Sequence, residues 1–274
     1  MTSPTAPAPD RPTARHILLL VLVGTIGGVF SGALGVGGGI VMVPLLLMLL
    51  RFDQRRAAAT SLAAIVLSSI SGAATYTVAG HTDVLAGLLL GAGGVVGTLI
   101  GTRLLKVLPI AILRWGFIAL LVVIAVRMLL VVADRGGDIA FSIPLAIGLV
   151  VSGIVMGILA GMFGIGGGVL IVPLLVAVFG ASDLIAKGTS LLAMIPISIV
   201  GSIANVRNQL VRPLDGFVIG GTALLASLGG AAIAFVMPAW LSTLLFGLFV
   251  AATAIQLTIR AINQHRAARS GDPT

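Results

Sequence analysis

The sequence predicts an all-α integral membrane protein made of two inverted repeats, each a glycine-interrupted re-entrant helical hairpin plus three transmembrane helices. Three observations lead there: composition, duplication and the placement of basic residues. Of 274 residues, 58% are hydrophobic and 9% charged, with a mean hydropathy of +1.22, too apolar for the surface of a soluble globule. Residues 32–47, GALGVGGGIVMVPLLL, return as GMFGIGGGVLIVPLLV at 161–176, with 9 of 16 positions identical at an offset of 129. The same offset, without a gap, pairs Thr60-Ser61-Leu62 with Thr189-Ser190-Leu191, Gly72 with Gly201 and Pro109 with Pro238. Matched Gly/Pro-interrupted apolar segments in two halves point to a transport site, because broken helices expose backbone groups that hold a solute.

The elements follow in order. Residues 1–15 are polar and Pro-rich and read as a disordered cytoplasmic tail. The first repeat occupies 16–133, with apolar segments at 17–50, 58–79, 84–108 and 110–132; a linker covers 134–142. The second repeat occupies 143–262, with segments at 143–179, 188–206, 216–237 and 239–261, and a cytoplasmic tail follows at 263–274. The opening ILLLVLVG imitates a signal peptide, but its counterpart lies mid-chain at Ile143, so it belongs to the repeated fold. Segments 17–50 and 143–179 are too long for one crossing: 34 helical residues measure about 51 Å against a hydrocarbon core of about 30 Å. Their glycine clusters break each into two half-helices. Gly93, Gly97 and Gly101, at four-residue spacing, read as a helix-packing seam.

Basic residues orient the spans. If both broken segments cross the membrane, eight basic residues (Arg11, Arg15, Arg135, Arg207, Arg212, Arg260, Arg266, Arg269) face seven (Arg51, Arg55, Arg56, Arg103, Lys106, Arg114, Lys187), with no bias. If both turn back, thirteen lie inside and only Arg135 and Lys187 outside. The re-entrant arrangement places both termini in the cytoplasm and, with three crossings per half, inverts the second repeat. The net charge of +8 therefore reads as topology-setting charge beside anionic lipid rather than a nucleic-acid footprint.

After Gly39 and Gly168 a short helix begins whose first N–H groups have no intrahelical partner, a partly positive, donor-rich end. Glycine permits left-handed backbone and close approach of an oxyanion. Gly35, Gly37, Gly38, Gly39, Gly164, Gly166, Gly167 and Gly168 are thus candidates to hold a small anion between facing helix ends, tight helix packing being the competing role. Pro44 and Pro173 fall about one turn into each short helix and weaken or end its bonding. Thr60, Ser61, Thr189 and Ser190 read equally as anion donors or as caps and back-bonds to helix carbonyls. Ser198, Ser202 and Asn205 recur at helical spacing, lining either one pathway or a helix contact.

The paired GxGGGxxxxPLL motifs, residues 35–46 and 164–175, together with the Thr-Ser pairs, resemble the sulfite exporter TauE/SafE family over nearly everything except the polar tails. The resemblance implies an integral membrane permease for small anions, associated with sulfite, organosulfonate-derived and other sulfur compounds; the expected location is the plasma (inner) membrane. The rest of the inventory agrees. There is no glutamate, and Asp10, Asp53, Asp83, Asp134, Asp138, Asp183, Asp215 and Asp272 all read as loop or tail residues; with no buried carboxylate expected, a cation pump or carboxylate proton relay is disfavoured. His16 and His81 read as solvated, Lys187 and Arg207 as interfacial, and Arg127 as an unassigned polar residue within a span. No nucleophile–base pair, metal cluster or cofactor motif lies in the spans, so the chain reads as a non-enzyme without cofactor or metal. A selective channel or a non-transporting structural membrane protein are the alternatives to a carrier; saturable flux separates them.

Overall fold

The computed structural model describes residues 14–130 and 142–270. Among the described residues the regular elements are helices: α1 (Ala14–Leu34), α2 (Gly39–Leu49), α3 (Gln54–Val78), α4 (Val84–Val107), α5 (Ile110–Leu130), α6 (Ile143–Phe163), α7 (Gly168–Ala177), α8 (Asp183–Arg207), α9 (Pro213–Val236) and α10 (Ala239–Ser270). The offset of 129 carries the bounds of α1, α3 and α4 onto those of α6, α8 and α9 residue for residue. Helices α1, α3, α4, α6, α8 and α9 are each long and apolar enough to cross a membrane, which makes this a multi-pass helical membrane protein. The side chain of Arg127, most of the N-terminal tail and nearly all of the linker lie outside the described residues, while α10 continues to Ser270 through most of the expected C-terminal tail.

Each start has a local cause. Asp53 caps α3 by accepting from the Arg56 N–H at 2.8 Å, and Asp83 caps α4 by accepting from the Ala86 N–H at 2.9 Å. Ser142 and Ser182 accept from the N–H groups of Leu145 and Ile185 at the starts of α6 and α8. Proline in the first turn of α6 and α9 removes a donor that has no partner there.

The glycine clusters do break the long apolar segments, but unequally. Helix α1 has 21 residues and α2 has 11, about 31 Å and 16 Å. The expected pair of half-helices is therefore one helix long enough to cross and one too short to do so. Pro44 and Pro173 lie inside α2 and α7 without ending either helix.

Helix pairing rests on small residues, because burial of apolar surface gives little drive for association in lipid. A Cβ added to Gly93, Gly97 or Gly101 of α4 would come within 2.1, 2.0 and 2.2 Å of the carbonyl oxygens of Val150, Ile154 and Ile158 of α6. This is the predicted seam, and the residue numbers rise together, so α4 and α6 run parallel. The equivalent pair, α1 and α9, meets in the same way: Gly24 on Ile219, Gly28 on Ala223 and Gly32 on Ser227. Helix α3 runs parallel to α9, with Gly220 on Ala64 and the Ser71 hydroxyl donating to Leu224 O; α8 runs parallel to α4, with Gly91 on Ala193 and Gly94 on Ile197. At the centre α3 and α8 cross in opposite directions, Gly72 meeting Leu191 and Gly201 meeting Leu62. Leu18, Leu88, Val151, Phe217 and Leu225 are exposed around the outside, a surface suited to lipid rather than water.

Three expectations about charge are corrected. Asp215, in the first turn of α9, is 1% exposed and receives Arg56 Nη2 at 2.9 Å and His16 Nε2 at 3.1 Å. Asp183 and Lys187 form a buried pair at 2.7 Å. Carboxylates are therefore present inside the protein, His16 is partnered rather than solvated, and Lys187 is not an interfacial side chain. Each acid lies on the inward side of its helix's first turn, although Arg212, Pro213 and Leu214 beside Asp215 are exposed; a buried charge must be paired to be tolerated.

Candidate functional site

The two glycine turns are near copies. Gly35, Gly37 and Gly38 have φ of 69, 73 and 74°, and Gly164, Gly166 and Gly167 have φ of 71, 70 and 85°, a region costly to residues with a Cβ. The Val41 and Met42 N–H groups close on Gly38 O, and the Leu170 and Ile171 N–H groups close on Gly167 O. The N–H groups of Gly39, Ile40, Gly168 and Val169 therefore lie ahead of the first intrahelical acceptor of α2 and α7.

The turns are brought together at the molecular centre. A Cβ on Gly39 would lie 2.6 Å from Gly164 O, and one on Gly168 would lie 2.9 Å from Gly35 O. Gly37 and Gly166 both face Ile65 and Met194, which the offset of 129 pairs with one another. The two helix starts are thus enclosed, each against the turn of the other half, with Ile65 and Met194 packed against them. In this arrangement the turns touch directly, and the site is closed.

The hydroxyls play a more specific part than expected. Ser61 donates to Gly164 O at 2.8 Å, and Ser190 donates to Gly35 O. Each half thereby fastens the turn of the other half. Their single protons are used, so the donors available to a solute are elsewhere. Thr60 is fully buried and its Oγ1 has no partner; Thr189 Oγ1 accepts from the Asp83 N–H at 2.9 Å. Ser198 donates within its own helix, to Met194 O at 2.6 Å. Ser202 lines a cleft among α3, α8 and α9 that is otherwise apolar, with residues such as Leu67, Val206 and Phe217, so it does not join the turns. Asn205 is fully buried, and neither amide atom has a partner.

Two contacts were not readable from the sequence. The Cα of Lys187 lies 2.5 Å from a Cβ built on Gly35, and the Cα of Ala58 lies 2.4 Å from one on Gly164. Ala58 and Lys187 are equivalent under the offset, so one turn has a methyl beside it and the other a buried cation paired with Asp183. The i,i+4 spacing of Asp183 and Lys187 was the available signal. Tyr76 donates to Gly32 O at 2.8 Å just before the first turn, whereas its counterpart is the unpartnered Asn205.

Two duplicated helical units meeting at paired broken-helix turns define a membrane protein of transporter type. The model of the family described as Sulfite exporter TauE/SafE matches residues 2–128 and 149–273. The chain is 27% identical over 240 residues to the probable membrane transporter protein YunE of Bacillus subtilis, covering 79% of this chain and 88% of that one. It is 27% identical over 197 residues to the probable membrane transporter protein YdhB of the same organism, with 71% and 80% covered. A probable membrane transporter protein of Haemophilus influenzae is 31% identical over 232 residues, with 80% and 85% covered. No solved structure matches the chain. The chain belongs to the sulfite exporter TauE/SafE family of membrane transporters.

Proposed function

We propose that this protein exports a small sulfur-containing anion such as sulfite across the plasma membrane, holding it between the two glycine turns. The observation that carries this reading is the contact between two buried glycine turns, each with left-handed glycines immediately ahead of a helix N-terminus. Such ends favour negative charge through their free N–H groups and the helix dipole. Thr60 and Asn205, buried and unpartnered, add polar groups whose desolvation is otherwise uncompensated. Ser61 and Ser190 hold the turns in place, while Gly35, Gly37, Gly38 and Gly39 and their counterparts Gly164, Gly166, Gly167 and Gly168 supply backbone to the anion. Export is supported by the description of the family.

The inverted, re-entrant arrangement belongs to the same reading. Helices α1, α3 and α9 share one direction and α4, α6 and α8 the other, so each element of the first repeat opposes its counterpart. Helices α1 and α3 share a direction, which returns the chain through the short α2 to the side it came from. Arg51, Arg55 and Arg56 then lie with the termini on the cytoplasmic side, as the basic-residue count requires. Alternating access follows from inverted halves: opening one end and closing the other are equivalent movements of the two repeats.

The test is sulfite flux into proteoliposomes containing the purified protein, with Gly167→Leu as the site variant. Saturable flux in the parent and none in the variant, with normal membrane insertion, is the expected result. Gly167 suits this test because a Cβ there has its nearest neighbour at 3.4 Å, whereas at Gly38 it would lie 2.3 Å from Gly27 O. Unchanged flux in Gly167→Leu would remove the glycine turns from the site.

A further inference from the structure

A cavity of about 440 Å³ lies where the end of α2, the start of α3, α5 and α10 converge, a volume within the range of about 300–1,000 Å³ typical of small-ligand sites. Its polar lining is Arg51, Asp53, Gln54 and Arg114. We infer that this cavity is an anion-capture site at the cytoplasmic mouth, where a small oxyanion is held before it reaches the glycine turns. Its sidedness and its role in flux rest on the function proposed above; binding of the anion does not.

Four observations carry the inference. Gln54 is only 4% exposed and its Nε2 has no hydrogen-bond partner, an unmade bond that a bound acceptor would complete. Arg51 and Arg114 have no ion-pair partner among the described residues, whereas neighbouring Arg56 is paired with Asp215 and stacked on Phe52, and Arg55 donates to Leu108 O at 2.6 Å. The one carboxylate in the lining, Asp53, accepts from the Arg56 N–H as the α3 cap. The start of α3 adds the partial positive charge of a 25-residue helix.

Nor does the repeated fold impose this set. The positions equivalent to Arg51, Gln54 and Arg114 are Gly180, Asp183 and Thr243, so the cationic lining exists only in the half assigned to the cytoplasmic face. Guanidinium forks match planar pairs of oxyanion oxygens, which selects sulfur oxyanions or carboxylates over halides. The cavity also adjoins the central site. Phe117 forms part of its wall and sits 5.9 Å from the ring of Phe163, the residue that precedes Gly164.

The experiment compares the full-length protein with Arg114→Gln and Gln54→Leu, each checked for unchanged elution and Tm. Sulfite flux is measured with the anion presented on either face, in vesicles of phosphatidylcholine alone and with phosphatidylglycerol added. Sulfite binding to the detergent-solubilised protein is measured by calorimetry. Loss of one charge-assisted bond is expected to raise KM on the cytoplasmic face about tenfold in each variant, with maximal rate and opposite-face KM unchanged. An unchanged cytoplasmic KM in both variants, with an active parent, overturns the inference. If Arg114→Gln fails to fold, Gln54→Leu carries the same expectation. If the parent shows no flux, the proposed transport reading fails by itself; sulfite binding that disappears in the variants then upholds the capture site, and no binding overturns it. A defect confined to vesicles with phosphatidylglycerol assigns the cavity to a lipid headgroup and overturns the free-anion assignment.

Discussion

Ser61 and Ser190 show how one residue type serves both halves: each is fully buried and bonds a turn carbonyl of the opposite repeat. Replacing either by Ala leaves that carbonyl without its donor, and a loss of about 1–3 kcal/mol is expected, read as a fall in thermal stability in detergent. Thr60 offers the opposite case. Its buried hydroxyl has no partner, so Thr60→Val removes an uncompensated desolvation cost and should raise stability, by about 1–3 kcal/mol at most, while sulfite flux falls if the hydroxyl meets the anion; unchanged flux would show that it does not. The glycine positions also separate by sterics. Gly38→Ala and Gly167→Ala share a left-handed φ penalty of about 1–2 kcal/mol, but only Gly38→Ala also drives a Cβ into Gly27 O at 2.3 Å. It should therefore be much the less stable of the two, a difference that paired melting curves would reveal. At this scale the candidate residues were legible because the motif occurs twice. Their partners were not, since spacing along the sequence does not say which carbonyl across the bundle a hydroxyl will meet, and Ser198 and Ser202 read like Asn205 although their surroundings differ.

Helix starts were legible where apolar residues begin them, at Val84 and Ile143. Helices α3 and α8 instead start at Gln54 and Asp183, before the apolar segments 58–79 and 188–206, because their first turns carry charged residues and follow the caps Asp53 and Ser182. The unequal split at the glycine cluster was not legible either, because the break was located but the length needed on each side was assumed. The enclosure of Asp183 and Asp215 was hidden for a related reason. Hydropathy assigns a charged residue at a segment edge to water, whereas Asp183 and Asp215 lie on the inward side of the first turns of α8 and α9. For Asp183 and Lys187, Lys187→Met should cost about 3–5 kcal/mol by leaving a buried carboxylate unpaired, and adding Asp183→Asn should recover most of it. Equal losses in single and double variants, in a double-mutant cycle on unfolding, would contradict the pairing. The α4–α6 seam makes a separate demand: Gly97→Leu places side-chain atoms where Ile154 O lies 2.0 Å from the first added carbon, so the two repeats should fail to dock and the variant should be recovered aggregated or degraded.

On the scale of the whole molecule, the duplication is what makes the fold readable. Helix bounds in one half repeat in the other, and the tight pairs α1–α9 and α4–α6 are exchanged by the same operation, so each repeat is completed by packing on its partner. Symmetry alone does not make a directional device. The departures from it, Lys187 against Ala58, Asn205 against Tyr76 and the arginines around Gln54, all change charge or polarity between equivalent positions of the two halves. The family and the helical membrane architecture follow from these patterns; the anion and its direction are functional proposals. The most direct measurement is saturable sulfite flux into proteoliposomes, comparing the parent with Gly167→Leu. The account predicts a saturating rate in the parent that is lost in the variant while the protein remains inserted and folded; a parent without sulfur-anion flux, or a variant that transports at the parental rate, would contradict it.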